Sequence, residues 1–257
     1  MPEHEHTTPY TPASAATNRE DAGKFNKQGQ VGTPGAPVPL AVYDFDGTSI
    51  TGNSPVLLVA YMARRGMLKF SVLLRILLWA FAYKMRLPQN ESSVRSLVFT
   101  AFEGRPKEEV DAFLREFYDA RIAPRFRKSC DASMREHRAR GHVVLIVSAT
   151  FEPIIERAHE VHPFDYQIST RMTVDANGNY TNEVAGNPVE GEEKPRVIAA
   201  FADELFGEGG WTLAYAYGDH HSDRPMLYAA TEAFAVTPDW PLAHTARRLG
   251  WPILKWK

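Results

Sequence analysis

Cysteine is nearly absent: Cys130 stands alone among 257 residues. No intrachain disulfide can form, and a reducing compartment suits the chain. An excess of either charge is missing too, with 29 Lys and Arg against 31 Asp and Glu and a net charge of -2. Such a balance supplies no global field for nucleic acid, so no nucleic-acid partner is expected. The basic residues between Arg121 and Arg140 alternate with apolar positions and read as a solvated helix face. No apolar leader follows the start, where Glu3, His4, Glu5 and His6 stand, so a secretory signal is not expected and the cytoplasm is. Residues 1–38 hold hardly any large apolar side chain and bury too little to offset their ordering entropy; a disordered tail is expected there, with His4 and His6 incidental to it. Nor is there an internal repeat or a membrane-spanning run. The most apolar stretch, Met67 to Met85, has Ile76 to Tyr83 as its longest uncharged run, far short of the ~20 residues that a bilayer needs.

What is present is ordinary globular composition, 44% hydrophobic and 23% charged, enough for one moderate domain with an inserted subdomain. Leu40-Ala41-Val42-Tyr43 runs into Asp44 and predicts a short buried strand ending in a polar loop. Similar strands are predicted for His142–Val147 ending at Ser148, Leu213–Tyr217 ending at Gly218-Asp219, and Ala233–Val236 ending at Thr237. Helical patterns over Glu152–Val161 and Lys194–Phe206 separate them. Apolar strands alternating with helices predict an α/β fold, a Rossmann-like parallel sheet with helices on both faces. Ligands of such sheets sit beyond the carboxyl ends of the strands, where Asp44, Ser148 and Asp219 all fall. The stretch between the first two strands is too long for a simple crossover. Its pattern is helical, with Val110, Phe113, Leu114, Phe117 and Ile122 close to one face, so a helical cap is expected above the strand ends. The expected division is a catalytic core of 39–52 and 136–257 with a cap of 53–135. Asp175-Ala176-Asn177-Gly178-Asn179 predicts a hairpin turn.

Asp44-Phe45-Asp46-Gly47-Thr48 places two carboxylates, one residue apart, in a loop at a strand end. An aspartate can attack phosphorus, and a second carboxylate nearby can protonate the leaving alkoxide and then activate water. Such chemistry needs a cation to screen carboxylate from phosphate, and Mg²⁺ is held by few carboxylates plus substrate oxygens. Calcium loops and surface turns use the same short pattern, so alone it leaves both readings open. Gly218-Asp219-His220-His221-Ser222-Asp223 adds two carboxylates after another strand. Ser148 and the amides after it can hold a phosphoryl oxygen, and Lys194 can neutralise phosphoryl charge and nucleophile. Singly, Ser148 reads as a helix cap, Lys194 as a surface lysine and Asp223 as a helix-start charge. Gathered at one sheet edge, they read as a site.

In order, Asp44-Phe45-Asp46-Gly47-Thr48, Val147-Ser148-Ala149, Lys194 and Gly218-Asp219 with Asp223 resemble the four motifs of the haloacid dehalogenase superfamily of phosphatases. The resemblance runs from about Leu40 to the end of the chain and is greatest to the phosphoserine-phosphatase-like subfamily, whose cap follows the first motif. It implies Asp44 as nucleophile and Asp46 as general acid and base. It further implies Mg²⁺ on Asp44, Asp219 and the Asp46 carbonyl with Asp223 behind, and phosphate on Ser148, Ala149 and Lys194. Ser49 and His220 depart from the usual pattern, the first replacing a leucine and the second a small residue. Phosphoserine phosphatases carry a glutamate nine residues after the nucleophile to meet the substrate amine. Here that position is Asn53, which argues against phosphoserine. A phosphorylated small molecule or a phospholipid headgroup is the expected partner. The Met67–Met85 stretch leaves two readings: a buried cap helix, or an interfacial helix holding the protein at the inner membrane face, with Arg64, Arg65 and Lys69 toward headgroups.

Overall fold

The computed structural model describes residues 35–67 and 100–257. The expected tail up to residue 34 and most of the 67–85 stretch therefore lie outside the described residues. Three short apolar runs pair first: β1 (Val38–Tyr43), β2 (Val143–Phe151) and β6 (Trp211–Gly218). Tyr43 lies beside Ile146 on one side and Tyr217 on the other, so the carboxyl ends of all three strands coincide. β3 (Tyr166–Thr170), β7 (Glu232–Val236) and β8 (Ile253–Leu254) complete a six-stranded sheet in the order β3-β2-β1-β6-β7-β8. Every neighbouring pair in it is parallel. A separate antiparallel hairpin joins β4 (Met172–Val174) to β5 (Tyr180–Val184). Its turn is the expected one, with the Asp175 carboxylate accepting from the Asn177 and Asn179 amides.

Alternation along the strands sends side chains to two separate cores. Leu40, Val42, Val143, Leu145 and Val147 face α5 (Glu193–Phe206), α6 (Arg224–Ala229) and α7 (Trp240–Leu249) through Val197, Ile198, Met226 and Leu242. Tyr43, Val144 and Ile146 face the other way, toward α1 (Ser54–Arg64), α2 (Lys107–Phe117), α3 (Lys128–Ala139) and α4 (Glu152–His159). The fold is thus the expected α/β sheet with helices on both faces. Prolines 153, 225 and 241 fall in the first turn of α4, α6 and α7, where a missing N–H costs nothing and φ is already helical.

The chain between β1 and β2 leaves and returns through one neck. Ile50 bridges Phe126, the Thr51 amide donates to the Arg125 carbonyl (2.9 Å), and the Arg127 amide donates to the Ser49 carbonyl (2.9 Å). Immediately after the neck, α3 packs Cys130 and Met134 against the sheet side holding Val144 and Ile146, and Ser133 bonds the Tyr43 hydroxyl at 2.8 Å. The residue 135/136 division drawn from sequence falls inside this helix. Among the described residues, no helix is long and apolar enough to cross a membrane.

Candidate active site

Asp44 follows β1, its amide held by the Tyr217 carbonyl (2.9 Å), and the chain then turns sharply. The turn closes on itself: Ile50 N–H donates to the Phe45 carbonyl (3.0 Å), and the buried Ser49 hydroxyl donates to the Asp44 carbonyl (2.7 Å). Ser49, the departure from the leucine pattern, therefore ties down the backbone of Asp44. Gly47 has φ +77°, and a Cβ there would lie 2.0 Å from Asp219 Oδ2, so both conformation and space require glycine. Gly218 is needed for closeness alone, since its Cβ would meet the Asp223 side chain at 2.8 Å.

Lys194, from the first turn of α5, reaches under these loops. Its ammonium donates to Asp44 Oδ1 at 2.5 Å and Asp223 Oδ1 at 2.6 Å, and all three residues are less than a tenth exposed. Thr48 donates to Asp219 Oδ1 at 2.9 Å. Oxygens of Asp44, Asp219 and Asp223 lie within 4.8 Å of one another. Burial pushes the Asp44 carboxyl well above its ordinary range; Lys194 opposes the rise and Asp223 and Asp219 add to it. Asp219 is pushed up to about 7 by burial, with Asp223 adding to the rise. Lys194 is displaced upward in turn: burial lowers it, but Asp223 and Asp44 outweigh burial. Three carboxylates facing one ammonium are a deficit of positive charge in a desolvated place, and all their donor atoms are hard oxygens. That set fits a small divalent cation such as Mg²⁺.

Asp46 points elsewhere. Ser54 holds both its oxygens, through the amide at 2.5 Å and the hydroxyl at 2.8 Å, and the Thr150 hydroxyl donates to Oδ2 at 2.7 Å. Burial raises its pKa, and the bonds from Thr150 and Ser54 restrain the rise. A carboxyl so placed holds a proton more readily than a free aspartate and stays aimed.

A model of the haloacid dehalogenase-like hydrolases matches residues 41–228. The chain belongs to that family. It is an enzyme, a phosphatase of the haloacid dehalogenase type. A histidinol-phosphatase of Neisseria meningitidis is 27% identical over 236 residues, covering 85% of this chain and 99% of that protein. Two solved structures share the haloacid dehalogenase fold seen here. One is a Bordetella pertussis protein of unknown function (TM-score 0.76, 22% identity, 86% of this chain and 99% of that one). The other is a substrate-bound phosphoserine phosphatase (TM-score 0.58, 20% identity, 84% of this chain and 92% of that one).

The four acidic residues of the two aspartate motifs, Lys194 and Ser148 meet at the same edge of the sheet. Ser148 is buried, its hydroxyl accepting from the Thr150 amide at 3.0 Å, with half-buried Ala149 between them. β2 continues to Phe151, past the expected stop at Ser148, because Phe151 pairs with Thr170 beyond an irregularity in the ladder. Asn53 caps α1, accepting from the Val56 amide at 3.2 Å. His220 turns toward Ser222, its Nδ1 2.9 Å from that hydroxyl.

Three contributors escaped sequence reasoning. Ser54 and Thr150 orient Asp46, and only Thr150, two residues past Ser148, carried any positional hint. Buried Arg127 donates to the Gly47 carbonyl (3.0 Å) and the Trp256 carbonyl (2.6 Å), clamping the first loop to the last residues. Nothing in its local sequence marks it.

Proposed function

We propose that the protein hydrolyses the phosphomonoester of a small molecule in two steps through an aspartyl-phosphate on Asp44. The observation that carries this reading is the division of labour between two aspartates in one loop. Asp44 gives Oδ1 to Lys194, while Asp46 is turned away and held by Ser54 and Thr150. In the first step Asp44 Oδ2 attacks phosphorus, the phosphorus–ester oxygen bond breaks, and protonated Asp46 gives its proton to the leaving alkoxide. In the second, Asp46 takes a proton from water, which attacks phosphorus. The bond to Asp44 breaks, phosphate leaves and the carboxylate is restored. Lys194, Ser148 and the amide of Ala149 bind the phosphoryl oxygens, and Lys194 favours the ionised form of Asp44 against the effect of burial. Asp44, Asp219, Asp223 and the Asp46 carbonyl would hold Mg²⁺, which supplies charge stabilisation to the phosphoryl group when bound.

The chain between the two sides of the Ile50–Phe126 neck, drawn from sequence as 53–135, is proposed as the cap; the packing of α3 on the sheet favours ending it before Lys128. Asn53 has no charge for an ammonium group and uses its side-chain oxygen on α1, which disfavours phosphoserine. The histidinol-phosphatase relative makes histidinol phosphate the first substrate to test, its ammonium needing a partner other than Asn53. A phospholipid headgroup is the second reading; the stretch that motivates it lies almost wholly outside the described residues. Release of phosphate from p-nitrophenyl phosphate with Mg²⁺, abolished by chelation and lowered by orders of magnitude in Asp44→Asn with the fold intact, tests the mechanism. Wild-type turnover in that variant would remove Asp44 as nucleophile. Histidinol phosphate, phosphoserine and phosphatidylglycerol phosphate vesicles, assayed side by side, decide the substrate class.

A further inference from the structure

Apart from the catalytic carboxylates, the described residues bring one other group of metal-ligating side chains together: His220, His221 and Asp239. The two histidines follow the catalytic Asp219, and Asp239 opens α7 after β7, so the group forms only when the two loops meet. His221 Nδ1 lies 3.0 Å from Asp239 Oδ2, and His220 Nε2 lies 3.5 Å from the same oxygen. One ligand atom from each residue falls within 4.8 Å of the other two. The imidazoles sit 4.0 Å apart with a 49° tilt, so their nitrogens converge without stacking face to face.

Each member is held in place by bonds within the two loops, His221 Nδ1 meeting Asp239 Oδ2 directly. Asp239 Oδ1 accepts from the Leu242 amide at 2.8 Å as the cap of α7, and the Asp239 amide donates to the Asp219 carbonyl at 2.8 Å. His220 Nδ1 meets the Ser222 hydroxyl at 2.9 Å, which leaves Nε2 toward Asp239. An imidazole whose second nitrogen is tied to another group is the usual arrangement at a metal centre, because that bond fixes tautomer and ring orientation. The His221 amide donates to Asp239 Oδ2 at 3.3 Å and its carbonyl accepts from Arg224, so its backbone is fixed as well. Side-chain exposures of 35%, 46% and 26% leave the group open to solvent for an ion and its water.

We propose that His220, His221 and Asp239 bind a divalent transition-metal ion of the Zn²⁺ class on the rim of the active site, distinct from the all-oxygen set suited to Mg²⁺. Two imidazole nitrogens and one carboxylate oxygen are a three-ligand set for zinc with a fourth position left to water. Magnesium prefers oxygen ligands and does not compete for this set.

The test uses the full chain carrying His4→Ala and His6→Ala, since those histidines offer a competing place for zinc. Co²⁺ is titrated by visible absorption and Zn²⁺ by calorimetry, both in excess Mg²⁺ so that the catalytic carboxylates are occupied. One equivalent of each ion is expected. His221→Ala and Asp239→Asn, the second keeping the cap of α7, should each weaken binding by at least ~10-fold. Both should retain Mg²⁺-dependent p-nitrophenyl phosphate hydrolysis, which shows that they are folded. Absence of uptake by the parent chain overturns the proposal, as does uptake that both variants retain at full affinity.

Discussion

Replacing Lys194 by methionine keeps the length of the side chain and removes its charge from between two buried carboxylates. At an effective dielectric near 20, each contact, at 2.5 Å to Asp44 and 2.6 Å to Asp223, is worth roughly 6 kcal/mol before desolvation is counted. Burying the ammonium takes back much of that, and the loss measured when one partner of a buried pair is removed is about 3–5 kcal/mol. That is a large part of the ~5–15 kcal/mol by which domains are stable. The sign of its pH dependence follows from which groups titrate. Lys194 is raised above its ordinary 10.5, so its contribution is fully present below that value and is lost only as pH climbs through the higher folded value. Between pH 5 and 8 the lysine's contribution in the native protein is therefore constant. In the variant, Asp44 and Asp223 face each other without a counter-charge. The Asp44 carboxyl, already raised by burial, is then raised further, and stability falls as pH increases from the ordinary carboxylate range toward neutrality. Urea unfolding in EDTA should show a loss of about 3–5 kcal/mol at pH 8 and a clearly smaller one at pH 5, where the carboxylates accept protons. Added Mg²⁺ should restore part of the pH 8 loss. A loss below ~1 kcal/mol at pH 8, or an equal loss at both pH values, would refute the charge argument in favour of simple packing.

Other consequences can be checked at single positions. Gly47→Ala forces a Cβ into Asp219 Oδ2 at φ +77°; displacement of that carboxylate should lower Mg²⁺-dependent turnover by ~100-fold, with the far-ultraviolet dichroism retained. Thr150→Val deletes a hydrogen bond to the ionised form of Asp46, so the limb of the pH–rate profile governed by Asp46 should move upward by ~1 pH unit. Glu152 is pushed up to about 7, chiefly by burial and then by Glu156. Its ionisation therefore opposes folding as pH rises from its ordinary 4.5 through 7. Glu152→Gln should gain up to ~3 kcal/mol at pH 8 and almost nothing at pH 4, by urea unfolding at the two pH values.

The order of residues already announced which polar groups would meet at one sheet edge. Asp44, Ser148 and Asp219 each terminate a run of apolar β-formers, and period and composition are local properties that a parallel sheet converts into one shared edge. The helix beginning at Lys194 and the hairpin at Asp175–Asn179 were legible for the same reason, through local turn and helix signals. β3 and β8 were not. β3 mixes Gln167, Ser169 and Thr170 with apolar residues although all five of its residues are buried, and β8 has two residues, too few for any period.

What the amino-acid order alone determined is which carboxylates and hydroxyls stand at strand ends, which lysine opens a helix, and in what sequence. Which partner each one has was decided by tertiary structure. The Lys194–Asp44 contact joins residues 150 positions apart, Thr150 reaches Asp46 across 104, and Arg127 reaches the Trp256 carbonyl across 129. Asn53 showed the converse, a residue weighed for substrate recognition that local geometry assigns to capping α1. Hydrogen bonds and ion pairs act over a few ångströms in space, whereas hydrophobic periodicity acts along the chain. Periodicity can therefore announce an edge of the sheet, and only packing can say which atoms meet there.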